Sequence, residues 1–350
     1  MHMGSSSLRF FRSNAKRFAS VRSKEQLARE LDSSKYTLEL LAVSPPYRSF
    51  KIPKKDGTWR SIEEPEEELK LVLKLLAFHL QTVYFFIKPP CAYGYILSHR
   101  SDPDKRNIVT NAHRHIQAHT LLNVDMRDFF HQCDEAEVVS VLRPHFPEME
   151  QDCLELIANL TTYHNRLPMG SPASPVLSNY AAFRLDHAML AWSQERNIVF
   201  TRYVDDMTFS SRTVLPVEYV KQLEEACAKF GFPLNPAKTK YYGPEDEKYV
   251  TGLMLTKEEV VLPGKYFSFL QDDLDRFAAL YPVFSCLSDE RSSAWVWHFE
   301  QGLTGRINHI GAVYGRSSAT FRHYQKKLQA AKRPVAEEIY MNWLDLPYET

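Results

Sequence analysis

The chain has 350 residues, 44% of them apolar and 25% charged, which is typical of a globular protein and excludes a largely disordered one. Its formal net charge is zero, but residues 1–60 hold 13 Lys/Arg against 5 Asp/Glu, and Gly305 to Arg333 hold 7 Lys/Arg and no acid. Five scattered cysteines without a C-x-x-C pair argue against a disulfide framework or zinc ribbon and favour the cytoplasm, and the lack of a long apolar run predicts no membrane segment.

The N-terminal part combines helical patterns with one hairpin. Residues 8–42 carry apolar positions at mixed three- and four-residue spacing among basic residues, which predicts one or two basic amphipathic helices. Two strand-like pieces then flank an Asp-Gly turn, and the cations Lys54, Lys55 and Arg60 on this hairpin could together hold a triphosphate. An exposed basic hairpin without a ligand explains the same residues. The acidic run 63–68 then predicts the start of a helix over 69–84.

Aspartates occupy two conspicuous positions in the middle of the chain. Residues 120–124 have the pattern of a buried strand that ends at Asp125, and a buried carboxylate without a partner is unfavourable. Further on, residues 198–201 and 207–210 have strand character, which predicts a tight hairpin with Asp205 and Asp206 at its tip. A solvated Asp-Asp turn would explain this hairpin equally well when it is considered alone.

The order of the predicted elements brings these aspartates together. Ser174 and Pro175 are expected to be the N-cap and first residue of one long helix that leads into the hairpin, and residues 265–343 are helical by pattern. An antiparallel sheet with helices on one face would place Asp125 beside the hairpin tip. Three converging carboxylates would then form a hard oxygen site that suits two Mg²⁺ ions.

Six sequence blocks then occur in a fixed order over residues 51–255: KKDGTWRSIEEP, NVDMRDFF, LPMGSPASPVLSN, RYVDDMTFS, GFPLNPAKTK and VTGLML. In this order they resemble the consecutive blocks of a reverse transcriptase. Each block is weak alone, but six in register are specific. Within that family, Asn111-Ala112-x-x-His115 and Val250-Thr251-Gly252 are similar to two stretches of retron reverse transcriptases.

The resemblance implies an α+β right-hand polymerase fold, with fingers, a palm whose antiparallel sheet is backed by helices, and a helical thumb. The resemblance implies a basic helical N-terminal extension at residues 1–50 and an RNA-binding thumb at residues 257–350. The fingers would comprise residues 51–118 and 137–172, and the palm residues 119–136 and 173–256.

The resemblance also implies roles for individual residues. Asp125, Asp205 and Asp206 would be the catalytic and metal-binding set, with two Mg²⁺ ions as cofactor and Mn²⁺ as a possible substitute. Phe130 fits the position of a steric gate against the ribose 2′-OH, although a core phenylalanine is the alternative. Nucleotide contacts would come from Lys54, Arg60 and Lys238, and RNA contacts from Asn111, His115, Val250, Thr251, Gly252, Arg306 and Arg322.

Two positions depart from the family pattern. Met169 stands where many relatives have Gln, which removes a polar contact to nucleotide or template there. Val204 replaces the alanine that is usual in retron enzymes and is expected to tighten packing under the primer end.

By resemblance, the protein is expected to be an RNA-directed DNA polymerase that uses dNTPs. A retron enzyme copies its cognate structured non-coding RNA, of the msr-msd type, into branched RNA-linked single-stranded DNA (msDNA), primed from a guanosine 2′-OH. The family usually acts in anti-phage defence beside an effector protein encoded nearby. The alternatives are a non-retron bacterial reverse transcriptase, such as a group II intron-like one, and a catalytically idle RNA-binding scaffold. The intact aspartates argue against the scaffold.

Overall fold

The computed structural model describes residues 3–53, 57–99, 102–287 and 289–332. The chain divides into two units, Met1–Thr251 and Gly252–Thr350.

Three helices begin the first unit, rather than the predicted one or two: α1 (Met3–Ala19), α2 (Lys24–Glu30) and α3 (Lys35–Val43). The chain breaks before α3 because the Ser34 hydroxyl accepts a hydrogen bond from the backbone N–H of Thr37 and so caps a new helix. Phe18 of α1 stacks on His79 with ring centroids 4.7 Å apart. These contacts dock the basic N-terminal helices onto the core of the first unit.

A two-stranded ribbon follows, made of β1 (Tyr47–Pro53) and β2 (Trp59–Pro65). Strand β2 continues through Glu63 and Glu64, so these residues are not part of the helix start that the sequence predicts. The helix itself, α4 (Glu67–Ile87), keeps Glu67 and Glu68 in its first turn. By length and composition α4 could cross a membrane, but 56% of its most apolar window is buried inside the protein, as in the core helix of a globular domain.

The centre of the first unit is a four-stranded antiparallel sheet. Its strands run in the order β4-β5-β3-β6 and span Val199–Tyr203, Asp206–Ser211, Thr120–Asp125 and Lys240–Tyr242 in that order. Strand β3 pairs with β5 so that Leu122 lies opposite Phe209 and Asp125 opposite Asp206. Phe209 also stacks on Phe200 of β4, with ring centroids 4.7 Å apart. Apolar packing on the sheet therefore sets the register that aligns the two acids.

Helices pack around this sheet: α5 (Ile108–His113), α6 (Glu135–Leu142), α7 (Gln151–Thr161), α8 (Ser174–Ala181), α9 (Phe183–Gln194) and α10 (Glu218–Lys229). The predicted long helix is two helices, α8 and α9, that meet at Ala182. Ser174 is the first residue of α8 rather than its N-cap, because its hydroxyl donates to the carbonyl of Pro168. Strand β7 (Lys248–Val250) ends the first unit.

The second unit is mostly helical, as the sequence predicts for the described part of residues 265–343. A hairpin of β8 (Leu253–Leu255) and β9 (Val260–Val261) precedes α11 (Gly264–Cys286), α12 (Glu290–Tyr314) and α13 (Ala319–Ala331). A Cβ on Gly311 would lie 2.8 Å from the Phe321 ring, so glycine lets α12 and α13 approach closely. Residues 333–343 lie outside the described residues.

Candidate active site

The hairpin of β4 and β5 turns tightly at Val204 and Asp205. Val204 has a φ of +63°, which is a strained conformation for a β-branched residue. The guanidinium of Arg202 donates to the Val204 carbonyl at 2.9 Å, and the backbone N–H of Met126 donates to the Asp205 carbonyl at 3.0 Å. The turn is therefore held from two sides, by its own strand and by the end of β3.

Three carboxylates meet beside this turn. Asp125 at the end of β3 is buried, Asp206 lies opposite it on β5, and Asp205 precedes Asp206 in the turn. One carboxylate oxygen from each residue lies within 4.8 Å of those of the other two. The structure thus brings together the three aspartates that the sequence predicts to converge.

The electrostatics of this cluster fit a divalent cation. Burial, followed by the charges of Asp205 and Asp125, raises the pKa of Asp206 to about 7. Burial and the Asp125 charge also raise the pKa of Asp205. Carboxylates that repel one another in this way provide hard oxygen ligands, and such a donor set suits Mg²⁺.

A lysine from the segment after α10 already contacts the cluster. Lys238 Nζ donates to both carboxylate oxygens of Asp125, at 2.8 and 2.9 Å. Burial disfavours the charged lysine, yet the hydrogen bond to Asp125 and the three acidic charges together raise the pKa of Lys238. The ammonium group therefore stays charged at the mouth of the site.

Two of the three carboxylates, Asp125 and Asp205, line a cavity of about 640 Å³ in the first unit. Its walls come from the β1–β2 ribbon, the end of β3, the start of α8 and the hairpin turn. The lining residues that matter for the chemistry below are Arg60, Tyr95, Asp125, Phe130, Asp205 and Lys238. A cavity of this size, lined by both cations and carboxylates, can accept a nucleoside triphosphate together with its metal ions.

A buried ion pair supports the hairpin from behind. The Arg202 side chain is 0% exposed and makes two hydrogen bonds to the Asp186 carboxylate of α9, at 2.6 and 2.7 Å. It also donates to the Asn179 side chain of α8 at 3.1 Å. Two helices of the first unit thereby fix the strand that carries the catalytic turn.

Comparison with known families agrees with this geometry. The model of the family "Reverse transcriptase (RNA-dependent DNA polymerase)" matches residues 52–259, which is more than half of the chain. The chain belongs to the reverse transcriptase family. The predicted right-hand polymerase fold and the predicted enzyme class, an RNA-directed DNA polymerase, are confirmed by this membership together with the antiparallel sheet and its surrounding helices.

Several curated relatives of this reverse transcriptase are retron enzymes, which confirms the resemblance found in the sequence. The Ec86 retron reverse transcriptase of Escherichia coli is 29% identical, over 64% of this chain and 68% of its own length. The Mx162 enzyme of Myxococcus xanthus is 28% identical, over 70% of this chain and 55% of its own length. The Ec48 enzyme of Escherichia coli is 24% identical, over 92% of this chain and 79% of its own length.

Among solved structures, the telomerase of Candida albicans in complex with a fragment of telomeric RNA is similar with a TM-score of 0.48 and 11% identity. The alignment covers 85% of this chain and 58% of that telomerase chain. This reverse transcriptase thus spans little more than half the length of Mx162 and of the telomerase, and the substrates and partners of such longer proteins enter below only as proposals.

The predicted nucleotide contacts of this reverse transcriptase lie at the cavity where the structure describes them. Arg60 and Lys238 are exposed and line it, and half-buried Phe130 forms part of its wall. Met169, at the position of the expected glutamine, also lines the cavity. Lys54 lies outside the described residues.

The predicted RNA contacts are more dispersed. Asn111 and His115 are each 1% exposed, and the His115 ring is hydrogen-bonded to the hydroxyls of Ser210 and Thr201, both at 2.7 Å. Direct RNA contact by these two side chains does not fit this arrangement, because their polar groups face the protein interior. The sequence could not show this, since a His next to Arg114 has the same pattern on a surface.

The remaining predicted RNA contacts differ in how accessible their side chains are to an RNA. Val250 is buried, and the Thr251 hydroxyl donates to the carbonyl of Ile108 in α5 at 3.3 Å. The helix that carries Asn111 is therefore in contact with Thr251. Gly252 has a φ of +81°, with open space around the position of a Cβ. In the second unit, Arg306 forms an ion pair with Asp273 at 2.6 Å, whereas Arg322 is exposed.

Two groups of residues at the site were missed by sequence reasoning. Tyr95 and Arg127 line the cavity from loops, where no periodic pattern marks them. Arg202 and Asp186 form the buried pair behind the hairpin. A charged residue within the apolar and β-branched run before the two aspartates was the available indication for Arg202, because a buried charge requires a partner.

Proposed function

We propose that the chain is a retron reverse transcriptase that copies its own structured non-coding RNA into RNA-linked single-stranded DNA. The observation that carries the proposal is the cluster of three carboxylates beside the hairpin turn, two of which line a cavity with Arg60 and Lys238, in a chain of the reverse transcriptase family. The names of the sequence relatives support the retron assignment.

In this proposal Asp125, Asp205 and Asp206 hold two Mg²⁺ ions, with Mn²⁺ as a possible substitute. When bound, the ions lower the pKa of the primer hydroxyl and neutralise the leaving pyrophosphate. The support is the mutual proximity of the carboxylates and the raised pKa of Asp206, both of which favour a cation over three adjacent anions.

The other residues at the cavity bind and orient the substrates. The Arg60 guanidinium offers charge-assisted hydrogen bonds to the triphosphate, as we also propose for Lys54. Lys238, whose ammonium group reaches Asp125, supplies positive charge and a proton to the departing pyrophosphate. The Phe130 ring occupies the space of a ribose 2′-OH and so selects dNTPs. In this proposal Lys54 and Arg60 belong to the fingers, and Phe130 and Lys238 belong to the palm.

For the cognate RNA, we propose an msr-msd type transcript that primes synthesis from a guanosine 2′-OH and ends as branched msDNA. Its contacts would lie at the turn of Thr251 and Gly252 and on the thumb at Arg322, with Arg306 shielded by Asp273. Buried Asn111, His115 and Val250 would support this surface rather than touch the RNA. A cytoplasmic location and a role in anti-phage defence with an effector encoded nearby complete the proposal.

The catalytic part is tested with Asp205→Asn, which removes one negative charge at nearly constant shape. We expect Mg²⁺-dependent dNTP incorporation on an RNA template to fall at least about a hundredfold, because the cation loses one charged ligand. RNA affinity should stay near that of the parent. Primer extension and filter binding on the same preparations measure both, with Asp32→Asn, at an exposed aspartate, as the matched control. Equal incorporation by Asp205→Asn and the parent would refute the catalytic assignment.

The retron part is tested on nucleic acid that co-purifies from the native host. We expect a structured RNA joined to DNA through a 2′,5′ linkage at a guanosine, because that link is what internal priming leaves behind. Debranching enzyme should separate the two strands. Recovery of an active polymerase with unlinked, heterogeneous RNA would favour a non-retron reverse transcriptase.

A further inference from the structure

The segment Cys91–Tyr95 is fixed against the back of the catalytic hairpin. The backbone N–H of Tyr93 donates to the Arg202 carbonyl at 2.9 Å, and the N–H of Arg202 donates to the Cys91 carbonyl at 2.8 Å. The Asn179 side chain donates to the Gly94 carbonyl at 3.0 Å. These bonds attach the segment to the same strand and helix that position the catalytic turn.

The contact is so close that only glycine fits at position 94. A Cβ there would lie 2.7 Å from both the backbone nitrogen and a methyl group of Val204. Arg106 secures the segment from its other end, because its guanidinium donates to the carbonyls of Pro90 and Ala92. The position of the next residue, Tyr95, is therefore determined by its surroundings on both sides.

Tyr95 has a φ of +56°, a conformation that non-glycine residues rarely adopt. The residue lines the cavity, and its ring is stacked near that of Phe130, with centroids 6.4 Å apart and planes inclined by 30°. Strained residues of this kind persist where the surroundings impose them, often at functional sites. The strained backbone at Tyr95 places an aromatic ring beside Phe130.

The Phe130 ring has two aromatic neighbours, of which Tyr95 is one. Its other neighbour is the buried Phe129, with centroids 5.9 Å apart, and Phe129 packs in turn on Phe232 at 5.4 Å. Phe129 is 4% exposed and packed in the apolar core, although it also contributes to the lining of the cavity. Tyr95 is the exposed neighbour, at 42%, and lines the same cavity as Phe130.

We propose that Tyr95 is a positioning residue for sugar selection, which holds the Phe130 ring in place so that a ribose 2′-OH cannot displace it. The inference rests on the proposed function. A steric gate discriminates only as strongly as its ring resists displacement, and a ring with an empty side can rotate to admit the larger sugar. The Tyr95 ring fills that side.

The test compares kcat/KM for a ribonucleotide with that for the matching deoxynucleotide, in primer extension on an RNA template. This ratio does not depend on the fraction of enzyme that is folded. Tyr95→Ala is expected to raise the ribonucleotide-to-deoxynucleotide ratio roughly two- to tenfold, the range of an aromatic contact. Tyr95→Phe, which keeps the ring, should retain the parent ratio.

A double mutant shows whether Tyr95 acts through Phe130. Phe130→Ala should raise the ratio further than Tyr95→Ala, and adding Tyr95→Ala to Phe130→Ala should raise it no more, because the ring to be held is gone. Tyr36→Ala is the matched control, since Tyr36 on α3 is 75% exposed and does not line the cavity. If Tyr95→Ala does not fold, Tyr95→Leu replaces it, with a smaller rise expected.

The outcomes separate this inference from the proposed function. An unchanged sugar ratio in a Tyr95→Ala enzyme that still extends DNA would overturn the inference alone. The same would follow if Tyr95→Phe raised the ratio as much as Tyr95→Ala, or if the two effects multiplied in the double mutant. No DNA synthesis by the parent enzyme would overturn the proposed function, and the inference with it.

Discussion

The Arg202 side chain holds several groups around the catalytic hairpin in place. It lies fully buried two residues before the turn of the catalytic hairpin and satisfies the Asp186 carboxylate, the Asn179 side chain and the Val204 carbonyl at once. A buried ion pair is weak support for stability, because desolvation opposes the attraction, but removing one partner leaves a buried charge uncompensated. Arg202 therefore ties the geometry of the turn to the stability of the first unit.

This leads to a prediction for the pair. Arg202→Met alone should lower the free energy of unfolding by about 3 to 5 kcal/mol, whereas Arg202→Met with Asp186→Leu should recover much of that loss. Urea denaturation measures both. The recovered double mutant should still extend primers poorly, since the Val204 carbonyl has lost its donor. A double mutant as active as the parent would show that Arg202 has no positioning role.

Between secondary-structure elements, His115 connects the segment after α5 with both strands of the catalytic hairpin. Its ring joins Thr201 of β4 and Ser210 of β5, and burial followed by the charge of Arg114 lowers its pKa to about 3. The unfolded chain takes up this proton near the ordinary value of 6.5. Between these values the unfolded state binds more protons, so the stability falls as the pH is lowered.

We therefore expect the parent to lose up to about 1.4 kcal/mol of stability per pH unit from His115 below pH about 6.5. His115→Leu should be less stable at pH 7.5 by about 1 to 3 kcal/mol, because two buried hydroxyls lose a partner, and should show a shallower decline toward acid. Urea titrations from pH 4 to pH 8 measure the difference. Parallel curves for parent and variant would contradict the assignment, and His113→Leu serves as the neighbouring control.

For the complete chain, the charge distribution matters more than the net charge of zero. The described part of the second unit places Arg322 in the open on α13, whereas Arg306 on α12 is neutralised by Asp273. Phosphate contacts release counterions, so each one contributes to the salt dependence of RNA binding. The two arginines should therefore differ although both were predicted as RNA contacts.

Arg322→Gln should weaken RNA binding and reduce the slope of log K against log salt by about 0.7 to 0.9 for one lost phosphate contact. Arg306→Gln should leave that slope nearly unchanged. Filter binding of the co-purifying RNA at several KCl concentrations measures both variants. Equal slopes for the parent and Arg322→Gln would exclude α13 from the RNA surface, and a large effect at Arg306 alone would reverse the assignment.

The sequence was sufficient to predict the convergence of the three aspartates, because strand patterns and the alternation of buried residues determine which positions pair. It also predicted the ribbon and the helical second unit, since these follow from local periodicity. It did not predict the break between α8 and α9 at Ala182. Nor did it predict that the Ser174 hydroxyl bonds to the Pro168 carbonyl, six residues earlier, instead of capping the helix.

Whether a polar side chain faces solvent or the interior was decided only by tertiary structure. His115 and Tyr95 have no local pattern that distinguishes a surface residue from one held by partners up to about a hundred residues away. Local sequence sets backbone preference and the side of a strand on which a residue lies. The partners of a buried polar group come from other elements of the chain, and only the packing of those elements brings them within hydrogen-bonding distance.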